Sequence, residues 1–300
     1  MTTRLGVAAA LALATPGLAG AQQRIDDRRR VAPDASVRMT FLVSAGSVRV
    51  VGWDRDSIAV TGTLGAGEEF GGGVAQNGSG AKYFVQEPGE GKVTRKATAP
   101  LALEVRVPAR ARLWLKAGGA DIDVSGLTGG LDVNIVSGRI RVAGALRELN
   151  AEAMDGDIDV TGSAGWLRAK TAGGAITLRG RSDDAGLSSV SGTLRVSGGP
   201  FTRARFETVT GDVRFEAAVS RDGALTFDTH SGVVELRTPR DLAADLDVST
   251  IAGQITNELN SARPILGRDM RSRELGTSVG GGGARITIRT FKGSVALRRQ

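Results

Sequence analysis

The chain has 300 residues, of which 43 are glycine, 8 are proline and none is cysteine, and its formal net charge at pH 7 is +7. The absence of cysteine excludes disulfides, thiolate metal ligands, a cysteine nucleophile and a lipid-modified N-terminal cysteine. Basic residues are interleaved with acidic ones and aromatic residues make up only 4%, so the composition predicts no nucleic-acid partner.

The first 21 residues have the features of a secretory signal peptide. One early cation, Arg4, precedes a run rich in Ala and Leu, and Pro16 is followed by a small-x-small site at Ala19 and Ala21. This run is too short and too weakly apolar for a membrane span, and no other stretch of 18 apolar residues follows it. The sequence therefore predicts export to the periplasm, the outer surface or the medium, without a transmembrane segment.

The region after the signal peptide divides into a polar part and a β-rich part. Residues 22–34 are mostly polar and are predicted to form a linker. Residues 35–108 contain short segments of alternating apolar and polar residues joined by glycine-rich loops, a pattern typical of β-strands. We predict that residues 35–108 form a less regular β-rich cap, although "SAGSVRVVGW" around Gly46 resembles the repeat unit that follows.

A repeat fills residues 109–256, and one glycine marks each unit. The interval from one marker to the next is 18 residues in the first units and 19 to 21 in the last ones. Because a sharp corner often needs a positive φ, which residues with a Cβ avoid, each marker is predicted to be a corner between two strands. The markers are Gly138, Gly156, Gly174, Gly192, Gly211, Gly232 and Gly253, preceded by Ala120.

Apolar residues recur at fixed distances from each marker. Two residues after it stand Ile122, Ile140, Ile158, Ile176, Leu194, Val213, Val234 and Ile255. Three residues before it, the later units carry Thr171, Ser189, Thr208, Thr229 and Thr250, which we expect to share hydroxyl hydrogen bonds along a stack. Neither strand of a unit could bury an apolar face alone, but stacked units could. The predicted fold is all-β, a parallel β-solenoid (β-helix-like) of 18–21-residue two-strand repeats, each closed by a return loop.

Charges on the other face of the repeat support parallel stacking. Asp121, Arg139 and Asp157 occupy one position of successive units, and Asp123, Arg141 and Asp159 occupy another. In a parallel stack these residues form columns in which opposite charges alternate, and such cross-strand pairs stabilise a sheet. An antiparallel meander of hairpins also fits two strands per unit, but equivalent residues would then be about 10 Å apart.

The repeat is interrupted near the C-terminus. Residues 257–283 are polar and are predicted to form an insertion loop, and residues 284–300 restore the apolar columns as a closing β repeat. Long loops in compact proteins are often functional or mobile, although a solubilising extension would look the same in sequence.

The sequence offers little for catalysis. His230, the only histidine, takes the place of an apolar residue two before a marker, so we expect it at a corner of the core or near its edge. Asp155, Asp157 and Asp159 could suggest the carboxylate pair of a glycosidase, but Arg139 and Arg141 beside them would keep them ionised, which is poor for a general acid. Neither a calcium-binding repeat nor a phosphate loop is present. We therefore predict no catalytic, cofactor-binding or metal-binding residues, and no cofactor.

Several motifs resemble a known family. "GSVRVVGWDRDSIAVTG" (46–62), "LEVRVP" (103–108) and the recurrent "SG-x-I-x-V" with "L-x-V-x-T" are similar to the bacterial putative-adhesin family of β-strand-repeat envelope proteins, a domain of unknown function. The resemblance implies an exported, non-enzymatic protein with a stacked β fold that binds a cell-envelope glycan or protein partner. Two alternatives remain: a carbohydrate-active β-helix enzyme acting on polysaccharide, and a passive structural or envelope-maintenance protein.

Overall fold

The computed structural model describes residues 23–43, 45–65, 67–86 and 100–300. These residues form an all-β structure without helices, so the predicted fold class is confirmed at that level. None of the described segments forms a helix long and apolar enough to span a membrane. The predicted signal peptide lies outside the described residues.

Twenty strands make up the described part of the chain. The N-terminal strands are β1 (Arg24–Arg30), β2 (Ser36–Leu42), β3 (Gly46–Trp53), β4 (Ser57–Thr63), β5 (Glu69–Val74), β6 (Gly80–Gln86) and β7 (Leu101–Pro108). The repeat region contains β8 (Arg112–Gly119), β9 (Asp121–Ser125), β10 (Gly130–Thr171), β11 (Ile176–Ser189), β12 (Leu194–Thr208), β13 (Val213–Thr229) and β14 (Val234–Thr238). The C-terminal strands are β15 (Ala244–Thr250), β16 (Ile255–Asn257), β17 (Ile265–Leu266), β18 (Arg273–Val279), β19 (Ala284–Thr290) and β20 (Val295–Arg299).

The repeat units stack in parallel, and the meander alternative is wrong. Strands β10 to β13 pair in parallel, and Ile158 lies beside Ile176, which lies beside Leu194. In the same way Ile122 of β9 pairs with Ile140 of β10. These side chains are fully buried, so each inward residue rests on its equivalent in the next unit. One continuous apolar core follows from this stacking.

The return segments differ from the sequence prediction. We expected two short strands and a loop in each unit, but β10 continues as a strand over 42 residues and through the corners. Its pairing with β11 runs from Ile158 to Thr171 and includes the return segment around Gly162. Because an inward residue of this segment, such as Ala164, is also buried, the return contributes a further wall to the core.

The marker glycines serve a different purpose from the one predicted. Only Gly138 among them has a positive φ, of 109°. At the others a Cβ would overlap the carbonyl oxygen of the marker in the adjacent unit, as Gly174 would with Gly156 and Gly192 with Gly174. Close approach of two backbones, and not a left-handed corner, therefore requires glycine. The positive φ values lie at a second glycine column that the sequence prediction missed: Gly144, Gly162, Gly180 and Gly198.

The column of hydroxyl residues is buried as expected, but its hydrogen bonds go elsewhere. Thr171 Oγ1 donates to the carbonyl of Gly156 at 3.0 Å and accepts from the Gly174 N–H at 3.2 Å. Ser189 repeats this arrangement one unit later, between Gly174 and Gly192. The hydroxyl groups of Thr171 and Ser189 thus satisfy backbone groups at the corner. The prediction that the hydroxyls of this column bond one another is wrong.

At the N-terminal end the order of the units in space differs from their order in sequence. Strands β2 and β3 lie between β8–β9 on one side and β6–β7 on the other, all in parallel register. Val48 therefore sits beside Ile122, which explains why the segment around Gly46 resembles a repeat unit. Beyond β7 the pairing becomes antiparallel through β4 and then β1. The predicted polar linker at residues 22–34 is thus wrong in part, because Arg24–Arg30 form this edge strand.

The C-terminal end has the same kind of exchange. Strands β19 and β20 lie between the unit of β13–β14 and the unit of β15–β16, with parallel register on both sides. The predicted closing repeat at 284–300 is therefore not the last layer of the stack. Within the predicted insertion loop at 257–283, β18 pairs antiparallel with β15 and β17 with β18, so this segment covers the edge.

Candidate functional site

The predicted charge columns are present on the outer face of the stack. Arg139 Nη2 lies 3.5 Å from Asp157 Oδ2, and Arg141 Nη1 lies 3.2 Å from Asp123 Oδ1. These side chains are between 43% and 46% exposed, so each pair contributes only about 0–1 kcal/mol. Alternating charges of this kind favour the observed register of the units over one in which like charges meet.

The carboxylates that raised the possibility of an enzyme have structural partners. Asp157 contacts Arg139 through Oδ2 and accepts the Ala175 N–H through Oδ1 at 2.9 Å. Both oxygens of this carboxylate thus hold adjacent units together, which is a poor arrangement for a general acid. Within the described ranges, no group of three or more His, Cys, Asp or Glu residues could hold a metal ion.

An exposed apolar column runs along one corner of the stack, and we call it the apolar ridge. Its members are Val136, Met154, Val190, Val209, Ile251 and Phe291, each 42% to 66% exposed. Backbone hydrogen bonds of 3.2 Å from Val209 to Val190 and from Ala172 to Met154 join successive layers. A groove of about 580 Å³ lies beside the C-terminal half of the ridge and is lined by Val190, Val209, Ile251 and Phe291.

His230 belongs to the same corner. The sequence places it at a corner of the core or near its edge, and the structure shows the side chain on the exposed side of that corner. Its ring stacks on the ring of Phe291, with centroids 5.0 Å apart and planes 7° from parallel. His230 therefore extends the ridge as an aromatic surface.

The sequence contained a signal for the ridge that our prediction did not use. The inward columns lie seven, five and three residues before each marker, whereas the ridge residues lie two before it. Alternate residues of a strand point to opposite faces, so within the strand that precedes the marker an even offset implies an outward side chain. The apolar side chains at this offset are therefore surface residues that the stacked core does not require.

A groove on another outer face carries unpaired positive charge, and we call it the arginine groove. It has a volume of about 570 Å³ and is lined by five arginines and two glutamates, together with Thr177, Val196 and Ser197. Arg237 lies 2.9 Å from Glu235 and 3.3 Å from Glu216, and Arg298 lies 3.1 Å from Glu235. The three remaining arginines, Arg179, Arg195 and Arg214, have no carboxylate within 4.0 Å among the residues that the structure describes.

Elsewhere on the stack, a carboxylate of β11 lies between an arginine of β10 and an arginine of β12. Asp184 lies between Arg168, at 2.8 Å, and Arg203, at 3.2 Å. Partial burial acts to raise the pKa of Asp184, but hydrogen bonds and charge attraction from the two arginines outweigh it and lower that pKa. A carboxylate thus bridges this arginine pair, whereas no carboxylate lies between Arg195 and Arg214.

Comparison with known proteins adds a family and several distant structures. Residues 131–298 match the model of the family described as Toastrack DUF4097. A search among curated proteins finds no match.

Three solved structures share low identity with the chain. A putative adhesin from Bacteroides fragilis NCTC 9343 is 10% identical over 92% of this chain and 97% of that chain, with a TM-score of 0.43. A putative adhesin from Parabacteroides merdae ATCC 43184 is 11% identical over 92% and 96%, also with a TM-score of 0.43. A putative lipid binding protein from Parabacteroides distasonis ATCC 8503 is 12% identical over 91% and 96%, with a TM-score of 0.40. Likeness at this level does not indicate what the present chain binds.

Proposed function

Starting from the fact that this chain belongs to the Toastrack DUF4097 family, we propose that it is an exported, non-enzymatic module that binds a partner in the bacterial cell envelope in an adhesin-like manner. The signal-peptide features of residues 1–21 support export. In this proposal the stacked layers are coils of 18–21 residues, and residues 35–108 form the N-terminal cap of the array.

The apolar ridge is the observation that carries the proposal. Large apolar side chains that are exposed singly need no explanation, but a contiguous exposed set often marks an interaction site. Here six such side chains lie along one corner of layers that are about 4.8 Å apart, with Ala172 and His230 at the same position in two of the layers. None of them supports the buried core, and burying them against a partner would be favourable by roughly 25 cal/mol per Å² of apolar area.

Co-sedimentation of the purified protein, residues 22–300, with envelope fractions tests the proposal. The ridge variant Met154→Gln/Val190→Thr/Val209→Thr removes apolar surface while keeping the size of each side chain nearly constant. The control variant Leu42→Gln/Ile265→Thr/Leu266→Gln changes three residues that are each more than half exposed but lie off the ridge.

The wild type and the control should bind envelope material equally, and the ridge variant should bind at least tenfold less. The absence of binding by the wild type at any salt concentration would contradict the proposal, and so would unchanged binding by the ridge variant. Altered envelope permeability in a deletion strain, with attachment unchanged, would instead favour a passive structural role.

A further inference from the structure

We propose that the arginine groove binds a linear acidic polysaccharide, whose carboxylates contact Arg179, Arg195 and Arg214. This inference rests on the proposed function and deepens it, because it assigns a ligand class to one outer face. The apolar ridge, which lies on a different face, does not enter the argument.

The first step is the placement of like charges in the groove. Arg195 and Arg214 are direct partners in the register between β12 and β13, where like charges destabilise a sheet. Elsewhere on this face the charges in the same column alternate in sign, because Arg49 pairs with Asp123 and Asp123 pairs with Arg141. The alternation thus fails at Arg195 and Arg214, at a cost in stability.

The second step concerns the acidic residues nearby. Glu235 is the register partner of Arg214, but its Oε1 accepts hydrogen bonds from Arg237 at 2.9 Å and Arg298 at 3.1 Å. Glu216 likewise lies 3.3 Å from Arg237. The two glutamates of the groove are therefore already neutralised by other arginines, and the positive charge of the remaining three is available to a ligand.

The third step is the geometry of these three guanidinium groups. In the register of β11 and β12, Thr177 lies opposite Arg195, and Arg179 lies opposite Ser197. Diagonal neighbours across parallel strands are about 7–8 Å apart, within reach of side chains as long as arginine. Arg179 and Arg195 can thus contact adjacent groups of one ligand, and Thr177 and Ser197 offer hydroxyls between them. Arginine binds carboxylates with two parallel hydrogen bonds, which gives geometric selectivity.

The fourth step is the length of the site. A second groove of about 660 Å³ adjoins the first and shares Arg179 with it. It extends along the stack to Arg49, with Ser125 and Thr161 in its lining, and it also contains Asp159 and the ion pair of Arg141 with Asp123 at 3.2 Å. The acids of a linear polymer would therefore contact the arginines of the first groove and Arg49, and its hydroxyls would contact the mixed lining between them.

The lining also selects among polyanions. Neither groove has an aromatic residue in its lining, so bases of a single-stranded nucleic acid would find no stacking surface. The apolar lining residues, Val124, Val142 and Val196, are buried core residues, and Ala143 is small. The acyl chains of a lipid would therefore have little exposed apolar surface to contact in either groove. An acidic polysaccharide matches both properties.

The test uses polygalacturonate as the probe and isothermal titration calorimetry as the measurement. The groove variant Arg179→Gln/Arg195→Gln/Arg214→Gln should bind at least tenfold more weakly and show a smaller dependence of affinity on salt. The control Arg110→Gln/Arg221→Gln/Arg268→Gln removes the same charge from exposed arginines outside both grooves and should bind as the wild type does.

A second readout separates binding from structure. Because Arg195 and Arg214 repel each other, the single variant Arg214→Gln should raise the urea midpoint of unfolding while it weakens polygalacturonate binding. A purely structural role for Arg214 would lower the midpoint instead.

Several outcomes would overturn the inference. These are absence of polygalacturonate binding, equal loss in the groove variant and the control, and tighter binding to single-stranded DNA or to vesicles containing anionic lipid. If the groove fails these tests while the ridge variant still loses envelope binding, the proposed function stands and only this inference falls.

Discussion

At the scale of single residues, the marker glycines are fixed by the distance between neighbouring backbones. A Cβ at Gly192 would overlap the carbonyl oxygen of Gly174, although the φ of Gly192 is not positive. We predict that Gly192→Ala lowers the free energy of unfolding by about 1–3 kcal/mol, because two stacked units must separate locally. In the control Gly276→Ala, where a Cβ would meet nothing within 4 Å, the change should be small. Urea denaturation measures the stability of both variants. Equal midpoints would show that the layers can separate to accommodate a Cβ without losing stability.

A pair of buried serines provides a second test at this scale. Ser182 Oγ is buried without a hydrogen-bond partner in the described part of the chain, whereas Ser189 Oγ accepts the Gly192 N–H at 2.8 Å. Ser182→Ala should therefore leave stability unchanged or raise it, because it removes an unsatisfied polar group. Ser189→Ala should cost about 1–3 kcal/mol, because it leaves the Gly192 N–H without its partner. Thermal or urea unfolding would refute this account if the two variants lost similar stability.

At the scale of elements, the exchange of layers near the C-terminus can be tested with engineered disulfides in this cysteine-free chain. Thr226 in β13 is the register partner of Thr287 in β19, and Thr287 is the partner of Asp247 in β15. The pair Thr226→Cys/Thr287→Cys should form a disulfide on mild oxidation, because adjacent strands lie about 4.8 Å apart. The pair Thr226→Cys/Asp247→Cys should not, since β19 separates the two positions. Mass spectrometry distinguishes the products. A disulfide in the second pair and none in the first would show that the layers are stacked in sequence order.

The charge columns also act between elements. Arg139→Asp should lower stability by about 0.2–1 kcal/mol, because it places like charges beside Asp157. Adding Asp157→Arg should restore part of the loss in a double-mutant cycle. Recovery should be incomplete, because Asp157 also accepts the Ala175 N–H at 2.9 Å. A cycle with no coupling energy in chemical denaturation would mean that the pair does not contribute to register.

At the scale of the whole molecule, both ends of the parallel stack are covered by antiparallel strands. The N-terminal edge strand, β1, is rich in charge, with the sequence RIDDRRR, and charged edges discourage pairing with other molecules. A chain beginning at Val31 would expose β4, so we predict self-association in sedimentation velocity, whereas a chain beginning at residue 23 should stay monomeric. Tyr83→Phe is the matched control, because it removes the 2.9 Å hydrogen bond from Tyr83 to Asp27 and leaves the edge covered. A monomeric truncated chain would contradict this role for β1.

The arginine groove and the apolar ridge show which features of a candidate site can be recognised in the sequence and which cannot. The like charges of Arg195 and Arg214 were visible as a break in the alternating column, but their lack of partners depends on Glu235 turning to Arg237 and Arg298. The apolar ridge was visible from its even offset before each marker, yet its continuity depends on layers meeting at the corner. Side-chain choices among several possible partners are made in three dimensions, so a one-dimensional pattern indicates the candidates without selecting between them.

The sequence by itself indicated that the chain is all-β and which residues of the repeat face the core, and its charge columns favoured parallel stacking over a meander. It could do so because alternation of period two assigns each side chain to a face, and equal spacing aligns equivalent residues in neighbouring units. The tertiary structure decided the order of layers at the two ends, where Val48 lies on Ile122 and Val295 lies between Val234 and Ile255. Nearly identical units present nearly identical edges, so local pattern does not tell one neighbour from another. Only the path of the connecting segments and the antiparallel strands that cover the ends fix which edge each unit meets.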